Sequence, residues 1–334
     1  PLVGLDVGTS AVKVVQTQEI DGRKMVIHAA KADIEDAGNE DSIREAILSA
    51  LKASEVRGKR VCCSTAGPST AVRRLMLPRM AKDELPGAVW WEGGQVIPYD
   101  MEEVYHDFET IAVNEKASSL EVLFVAAPKE LIDRKQKIVE NCGLEVRVFD
   151  TDSTALLNGF MAGPSKPEGT TFAVIDIGAK YTNLAIGADG RVPFVRDILI
   201  GGEDYTREIM NALDVTRPEA ERVKRRLRFQ PNPDAELATV SVTERLAEEI
   251  MLSFQYYEKR EERGEGARPE IVKICGGTSQ LVGLKGRLSV LLDTKVESWN
   301  PLSETMEGGL GPGLQEYEHA FAVAVGLAMR EEPM

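Results

Sequence analysis

One segment near the start of the sequence recurs further along the chain, and this repeat constrains the fold more than any other feature. Residues 3–15 (VGLDVGTSAVKVV) align with residues 173–185 (AVIDIGAKYTNLA). In both copies β-forming apolar residues precede an Asp, and a Gly two residues later permits a bend that a Cβ would crowd. Each copy predicts a buried strand, a tight turn and a second strand, so we expect two related lobes.

The composition excludes several classes of protein. The chain has 334 residues, of which 43% are hydrophobic and 28% are charged, as is typical of a globular protein of about two domains. Because 54 Asp and Glu outnumber 40 Lys and Arg, the formal net charge is −14. A surface of this sign repels nucleic acid and anionic lipid, so we expect neither as a general partner.

The sequence contains no segment that is long and apolar enough to cross a membrane. The longest apolar run, residues 320–329, has ten residues, whereas a spanning helix needs about 20. The four cysteines show no CxxC spacing, and we expect them to be small buried hydrophobes in a reducing compartment. A cytoplasmic protein is therefore expected.

Changes of pattern along the chain divide it into four parts. After the first hairpin the order strand, helix, strand follows, and from residue 68 a compact α+β pattern predicts an inserted subdomain. The run Gly-Pro-Ser-Lys-Pro at 163–167 predicts a linker before the second hairpin. The predicted parts are a first lobe (1–67 and 149–164), an insert (68–148), a second lobe (165–318) and a closing helix (319–334) that returns to the first lobe.

The two repeated turns have the chemistry of a phosphate site. Backbone N–H groups in a Gly-containing turn bind phosphate oxygens, hydroxyls and a Lys add donors, and two carboxylates can hold a hydrated Mg²⁺. A single D-x-G is most often a plain β-turn, whereas the matched pair favours a nucleotide site between the lobes. The residues assigned to it are Asp6, Gly8, Thr9, Ser10, Ala11, Lys13, Asp176, Gly178, Ala179, Lys180, Tyr181 and Thr182, with Asp6 and Asp176 at the metal.

A third turn follows the apolar residues 271–275. Its sequence is Gly276-Gly277-Thr278-Ser279, and we expect it to open a helix. Small residues let a flat base or ribose approach the backbone, and a helix N-terminus presents free N–H groups. A Gly-Gly pair at a strand end is by itself a weak signal, but its position after two phosphate turns favours an adenosine pocket.

A basic run stands out in this acidic chain. It contains Arg222, Lys224, Arg225, Arg226 and Arg228. Nucleic-acid binding is one interpretation, but Val223 and Leu227 lie four residues apart and form one apolar seam of a helix. We therefore expect an amphipathic helix whose charges are mostly solvated.

Together these features resemble the bilobal, ribonuclease H-like α/β fold of actin, Hsp70 and sugar kinases, with an α+β insert of the FtsA (SHS2) type. Further motifs are not needed by that fold and resemble the PilM-like family of type IV pilus machines. They are Val89-Trp90-Trp91-Glu92, Ile97-Pro98-Tyr99, Glu103-Val104, Asp107-Phe108, Gly202-Glu203-Asp204-Tyr205-Thr206, Glu221-Arg222-Val223-Lys224 and Trp299-Asn300-Pro301. The resemblance covers nearly the whole chain.

The resemblance implies a cytoplasmic protein that binds ATP and Mg²⁺ in the inner-membrane alignment complex of a pilus machine. It implies that the cytoplasmic N-terminal peptide of PilN binds in a groove between the first lobe and the insert, near residues 90–99. Contacts with other inner-membrane platform proteins are implied as well, and self-association stays open. Glu221 and Lys224 match positions that flank adenosine in this class, and Gly202 joins them in the cofactor-binding set.

Hydrolysis of ATP needs a water that is aligned with the γ-phosphate. Related ATPases take the aligning residue from the segment that connects the lobes, here residues 149–154, so Asp152 is the candidate and Asp176 assists through the metal. Because this residue is less clearly marked than the binding residues, we expect slow or absent hydrolysis. The alternatives are a true ATPase or small-molecule kinase, an FtsA-like cell-division or filament protein, and a nucleotide-free adaptor like type II secretion proteins. The intact D-x-G pair argues against the adaptor.

Overall fold

The structure is a computed structural model that describes residues 2–115, 118–164, 167, 169–188, 194–260, 268–306 and 313–332. Residues 165 and 166 of the predicted linker and residues 333 and 334 of the closing segment lie outside the described residues.

The described strands form three sheets, and helices connect many of them. In chain order the strands are β1 (Val3–Val7), β2 (Ala11–Ile20), β3 (Arg23–Asp33), β4 (Arg60–Thr65), β5 (Ala71–Pro78), β6 (Val104–Asn114), β7 (Ser119–Pro128), β8 (Glu145–Thr151), β9 (Phe172–Ile177), β10 (Thr182–Gly187), β11 (Phe194–Ile198), β12 (Ile271–Cys275) and β13 (Lys295–Ser298). The helices are α1 (Glu40–Ser54), α2 (Leu85–Val96), α3 (Lys129–Glu140), α4 (Asp152–Ala162), α5 (Gly202–Leu213), α6 (Arg217–Arg226), α7 (Pro233–Arg260), α8 (Leu284–Leu291), α9 (Pro301–Thr305) and α10 (Ala322–Met329).

Two five-stranded sheets share one topology. In the first sheet the order is β3-β2-β1-β4-β8, with β1 antiparallel to β2 and parallel to β4. In the second the order is β11-β10-β9-β12-β13, with β9 antiparallel to β10 and parallel to β12. The repeated segments form the same strand pair in both sheets. Two α/β lobes of related topology result, as the repeat predicts.

The insert is built on a three-stranded antiparallel sheet of order β5-β7-β6. Helix α2 covers one face of this sheet, where Val89 packs with Leu75 and Phe124. Strand β8 does not join it but pairs in parallel with β4 in the first lobe, although the predicted insert includes residues 145–148. Ile138 of α3 also packs into the core of the first lobe. The sequence of a strand does not say which sheet it joins, and the domain limits as a whole stay a prediction.

Helices α4 and α10 pack against each other between the two five-stranded sheets. The ring of Phe160 in α4 meets Trp299 edge-on at a centroid distance of 5.1 Å and Phe172 of β9 at 5.0 Å. Helix α10 is buried from Ala322 to Ala328 and contacts β1. This apolar layer holds the two lobes together, and the cleft lies between the lobes.

Local features set the starts of two helical segments. Helix α7 begins at Pro233, because a Pro is tolerated at the first helical position and the Asn232 side chain accepts a hydrogen bond from the Ala235 N–H at 3.0 Å. The closing segment begins as a 3₁₀ turn over Glu318–Phe321 before α10. No helix in the described ranges is long and apolar enough to span a membrane.

Candidate functional site

A cluster of carboxylates lies at the ends of the two central strands. Asp6 on β1 and Asp176 on β9 occupy equivalent positions in the two lobes, and both are buried. Lys13 lies opposite Asp6 on the neighbouring strand, and its Nζ is 2.6 Å from Asp6 Oδ2. Asp152, the first residue of α4, interacts electrostatically with both Asp6 and Asp176. Asp6, Asp152 and Asp176 are therefore close enough to one another to interact electrostatically.

The charges of this cluster are not balanced. Burial raises the pKa of Asp176 to about 7, and the attraction of Lys13 only partly opposes burial and the repulsion of Asp6 and Asp152. Burial and Asp6 raise the pKa of Asp152 to about 6. Burial alone would lower the pKa of Lys13, but Asp6 raises it above its ordinary value. The raised pKa values of Asp152 and Asp176 show that the nearby ammonium groups do not offset the crowding and burial of these carboxylates, so the site favours an additional cation.

The geometry fits Mg²⁺ held through water. Among the side chains that the structure describes, no three His, Cys, Asp or Glu residues converge as direct ligands of one ion. Mg²⁺ keeps several of its own waters and needs few protein oxygens. Asp6 and Asp176 are the carboxylates that would hold such a hydrated ion, and this role stays a prediction.

The two D-x-G turns close in the same way. The Gly8 N–H donates to the Ala11 carbonyl at 3.1 Å, and the Gly178 N–H donates to the Tyr181 carbonyl at 3.0 Å. Within the described residues, the N–H groups between these bonds, those of Thr9, Ser10, Ala179 and Lys180, donate to no protein acceptor. Two sets of free N–H groups thus line the turns, as an anionic ligand such as a phosphate chain requires.

The third turn packs against the second. Gly276 has a φ of +90°, and a Cβ there would lie 2.1 Å from Asp176 Oδ1, so only glycine fits. The Thr278 hydroxyl donates to the Gly178 carbonyl at 2.8 Å, and the Gly202 N–H donates to the same carbonyl at 2.9 Å. The second D-x-G turn, the start of α5 and the Gly-Gly turn are therefore fixed to one another. Residues 277–280 form a 3₁₀ turn rather than the expected helix N-terminus.

A polar network holds α6 against α5. Lys224 Nζ donates to the Gly202 carbonyl at 2.9 Å and to the Thr206 hydroxyl at 2.8 Å, and it lies 2.7 Å from Glu221 Oε2. Burial would raise the pKa of Glu221, but Lys224, Thr206 and Arg225 outweigh burial and lower the pKa to about 2. Lys224 thus acts as a fixed brace at the edge of the cleft. Leu227 is buried, as the predicted apolar seam of α6 requires.

Some predicted donors have other partners. The Thr182 side chain is buried, and its hydroxyl donates to the Ile200 carbonyl at 2.7 Å, which corrects its assignment as a phosphate donor. The Ser279 hydroxyl likewise donates to the Gly276 carbonyl at 2.7 Å within its own turn. Gly277 lies in that turn with open space around it. These hydroxyls fix the turns and do not project from them.

Several residues at the site were not predicted from the sequence. Lys135 of α3 donates to the Ser64 carbonyl at 2.6 Å and lowers the pKa of Asp152, which burial raises. Asn183 lies between Asp176 and Asp197 in a row across the second sheet. A polar residue in an apolar strand is the signal that could have identified Asn183 and Asp197. Nothing in the sequence marks Lys135, because it is brought in by tertiary packing of α3.

The comparisons with known proteins agree with this geometry. A family model described as type IV pilus assembly protein PilM matches residues 4–332. Among solved structures the chain is similar to one described as a PilM-PilN type IV pilus biogenesis complex, with 25% identity and a TM-score of 0.84 over 98% of this chain and 97% of that one. It is similar in fold to MreB5 of Spiroplasma citri bound to AMPPNP, with 10% identity and a TM-score of 0.52 over 97% of this chain and 94% of that one.

Cell division proteins FtsA match parts of the chain. FtsA of Bacillus subtilis is 31% identical over 108 residues, which cover 32% of this chain and 24% of FtsA. FtsA of Enterococcus hirae is 26% identical over 254 residues, which cover 66% of this chain and 56% of FtsA. The chain thus spans a quarter to just over half of these relatives. The predicted actin-like fold with FtsA-like relatives is confirmed, and the pilus family model matches nearly from end to end. The chain belongs to the family of the type IV pilus assembly protein PilM.

Proposed function

We propose that the protein is the cytoplasmic, ATP-binding component of a type IV pilus inner-membrane alignment complex. It would lie at the inner membrane by binding the cytoplasmic N-terminal peptide of a PilN-like protein, a partner suggested by the similar solved PilM-PilN complex. The observation that carries the nucleotide half is the cluster of the buried Asp6 and Asp176 with the partly buried Asp152 and Lys13, between two matched D-x-G turns. Further platform proteins and self-association belong to the same proposal.

The nucleotide would lie in the cleft with its phosphates against the two turns. The free N–H groups of Thr9, Ser10, Ala179 and Lys180 would bind phosphate oxygens. Asp6 and Asp176 would hold Mg²⁺ through water, and the ion would neutralise part of the phosphate charge. The adenosine would lie beside the Gly276–Ser279 turn and the braced pair Glu221 and Lys224, which places the polar network at the edge of the base site.

Hydrolysis would be slow, with Asp152 as the residue nearest to a water-aligning role. Its pKa of about 6, raised by burial and by Asp6, leaves it partly protonated near neutral pH. The Asp152 carboxylate is also repelled by neighbouring carboxylates. It is therefore not an isolated base that acts on a single water. A switch that changes shape with bound nucleotide needs no faster turnover. A true kinase would need an open substrate site beside this cluster, and no observation favours one.

The peptide would bind in the groove between the first lobe and the insert, near residues 90–99. A separate cavity of about 580 Å³ lies between the insert and the second lobe. Strand β5 lines it with the consecutive residues 72–74, and β11 lines it with the consecutive residues 194–197. Because side chains alternate between faces, a cavity that touches consecutive residues runs along the edge of a strand. Both strands are outermost in their described sheets.

The lining of this cavity is mixed. Leu123, Leu252 and Tyr256 are apolar or aromatic, whereas Arg73, Arg74 and Arg196 bring positive charge. Trp90 and Trp91 of α2, with 43% and 64% of their surface exposed, do not line this cavity. Their part in a peptide groove stays a prediction.

Calorimetric titrations test the two sites separately. ATP with Mg²⁺ should bind the wild type saturably, and Asp176→Asn should weaken this binding. A peptide from the N-terminus of a PilN-like protein should also bind, and Trp91→Asp should weaken its binding about tenfold or more, because a charge would replace an exposed aromatic side chain beside the proposed groove. The matched control is Leu237→Asp, which changes an exposed Leu of α7 in the second lobe, away from that groove. Absence of saturable ATP or peptide binding by the wild type would contradict the proposal.

A further inference from the structure

Helix α6 presents a basic and aromatic face to solvent. Arg222 and Arg226 are four residues apart and Phe229 follows three residues later, so the three side chains share one side of the helix. The helical turn continues past the end of α6, since the Phe229 N–H donates to the Arg226 carbonyl at 2.8 Å. Both arginines are exposed, as is 74% of the Phe229 surface. Two guanidinium groups and an aromatic ring are therefore open to a partner on one face.

The cations of this face have few acidic partners. Arg222 and Arg226 form no ion pair with any residue that the structure describes, although Arg222 interacts electrostatically with Glu219. The exposed Arg228 guanidinium lies 5.9 Å from the centre of the Phe229 ring. Arginine and aromatic side chains are enriched at the centres of protein–protein interfaces. We call these four residues, Arg222, Arg226, Arg228 and Phe229, the basic face.

The insert carries the opposite charge. Residues 85–109 contain six Asp and Glu and no Lys or Arg. All six carboxylates are exposed, and among the described residues none of them forms an ion pair; they are Glu92, Asp100, Glu102, Glu103, Asp107 and Glu109. Lys129 of α3 reaches this segment, but its Nζ donates to the Glu102 carbonyl at 2.7 Å and not to a carboxylate. Residues 85–109, the acidic segment, thus offer negative charge without cations.

The basic face and the acidic segment belong to different parts of the chain. Helix α6 packs on α5 in the second lobe, and Arg225 interacts electrostatically with Asp33 at the end of β3. In the described ranges the ion-pair partners of α6 are Glu203 and Glu221, neither of which lies in the insert. Each surface therefore stays available to the complementary surface of another molecule.

We infer that the basic face of one molecule binds the acidic segment of a second copy of this chain. Each chain has a net charge of −14, but repulsion between distant charges is screened beyond about 8 Å at physiological salt, whereas charges in contact still attract. Because the two surfaces differ, the contact either repeats from head to tail or occurs twice in a twofold pair. The inference names the surfaces of the proposed self-association, and it depends on neither ATP nor peptide binding.

The test is sedimentation velocity over a range of protein concentrations, without nucleotide or peptide. The wild type should associate reversibly, and more strongly at about 0.05 M than at about 0.5 M salt. Arg222→Glu with Arg226→Glu should weaken the association about tenfold or more, because like charges would meet. Glu102→Lys with Glu103→Lys should weaken it as much, although this change makes the chain less negative and lowers the general repulsion between copies.

A mixture of the two double variants gives the sharpest readout. Their charges are exchanged at both surfaces, so an equimolar mixture should associate about as strongly as the wild type although neither variant does so alone. The matched control is Lys285→Glu with Arg287→Glu, which changes the net charge as much as the α6 variant but at exposed residues of α8. This control should associate like the wild type.

Three results would overturn the inference. They are a wild type that stays monomeric up to about 0.5 mM at low salt, association that survives the α6 variant, and a mixture that stays monomeric. Binding of a monomeric wild type to phosphatidylglycerol vesicles, lost in the α6 variant, would overturn it as well and would assign the basic face to a membrane. Each of these results leaves the proposed ATP and peptide binding standing, since calorimetry measures those separately.

Discussion

Replacement of Asp176 by Asn tests the electrostatics of the carboxylate cluster in the ligand-free protein. Burial, together with Asp6 and Asp152 and against the attraction of Lys13, raises the pKa of Asp176 from 3.8 to about 7. A carboxyl whose pKa is raised by folding contributes stability that is complete below about pH 4 and is lost as the pH rises through about 7. One pKa unit corresponds to about 1.4 kcal/mol. The loss in the free energy of unfolding at pH 8 is therefore about 2 to 4 kcal/mol. The range extends down to 2 kcal/mol because the carboxyls of the cluster titrate together, so the shift does not belong to Asp176 alone.

Asn has the shape of Asp and does not ionise, so Asp176→Asn avoids this loss. We expect the variant to gain about 2 to 4 kcal/mol over the wild type at pH 8 and little at pH 4.5. The measurement is urea unfolding between pH 4.5 and 8.5 without nucleotide or metal. Asp83→Asn, which changes an exposed carboxylate, is the control and should follow the wild type. A variant that is less stable than the wild type at pH 8, or a difference that does not vary with pH, would refute the reasoning.

Three further changes are checked by urea unfolding. Lys224→Ala should lose about 1 to 3 kcal/mol of the free energy of unfolding, because Glu221 and the Gly202 carbonyl lose their donor. Wild-type stability of this variant would show that the network does not hold α6 against α5. Gly276→Ala should lose more than about 2 kcal/mol, since the added Cβ meets Asp176, whereas Gly277→Ala, which meets nothing within 4 Å, should lose less than about 1. Phe160→Ala should lose about 3 to 5 kcal/mol from the apolar layer between the lobes, and a loss below about 1 would contradict its central place there.

The hairpins and their carboxylates could be predicted from the sequence because each is a local pattern. The positions of Asp6 and Asp176 follow from a strand, an Asp and a Gly in a fixed order. Their equivalence follows from the repeat alone. The structure brings them to equivalent strand ends with Lys13 beside Asp6. The local sequence was enough here because the two strands of a hairpin are adjacent in the chain.

The errors concern partners that are distant in sequence. The partner of the Thr182 hydroxyl, the Ile200 carbonyl, is 18 positions away, and which acceptor a hydroxyl chooses depends on the folded surroundings. The local pattern places β8 in the insert because nothing in its own residues distinguishes the first sheet from the third. The contact of Asp197 with Gly67 joins residues 130 positions apart and crosses the lobes. Such contacts become visible only when the sheets are assembled.

The place of α10 has a consequence for synthesis of the chain on the ribosome. The Thr17 hydroxyl of β2 donates to the Ala328 carbonyl of α10, 311 positions later, and α10 is the helix that covers β1. At a translation rate of about 5 to 20 residues per second, roughly 15 to 60 s pass between the synthesis of the early strands and that of this helix. During that time their apolar face has no covering layer from the finished fold. A newly made chain therefore exposes this face until α10 has been synthesised.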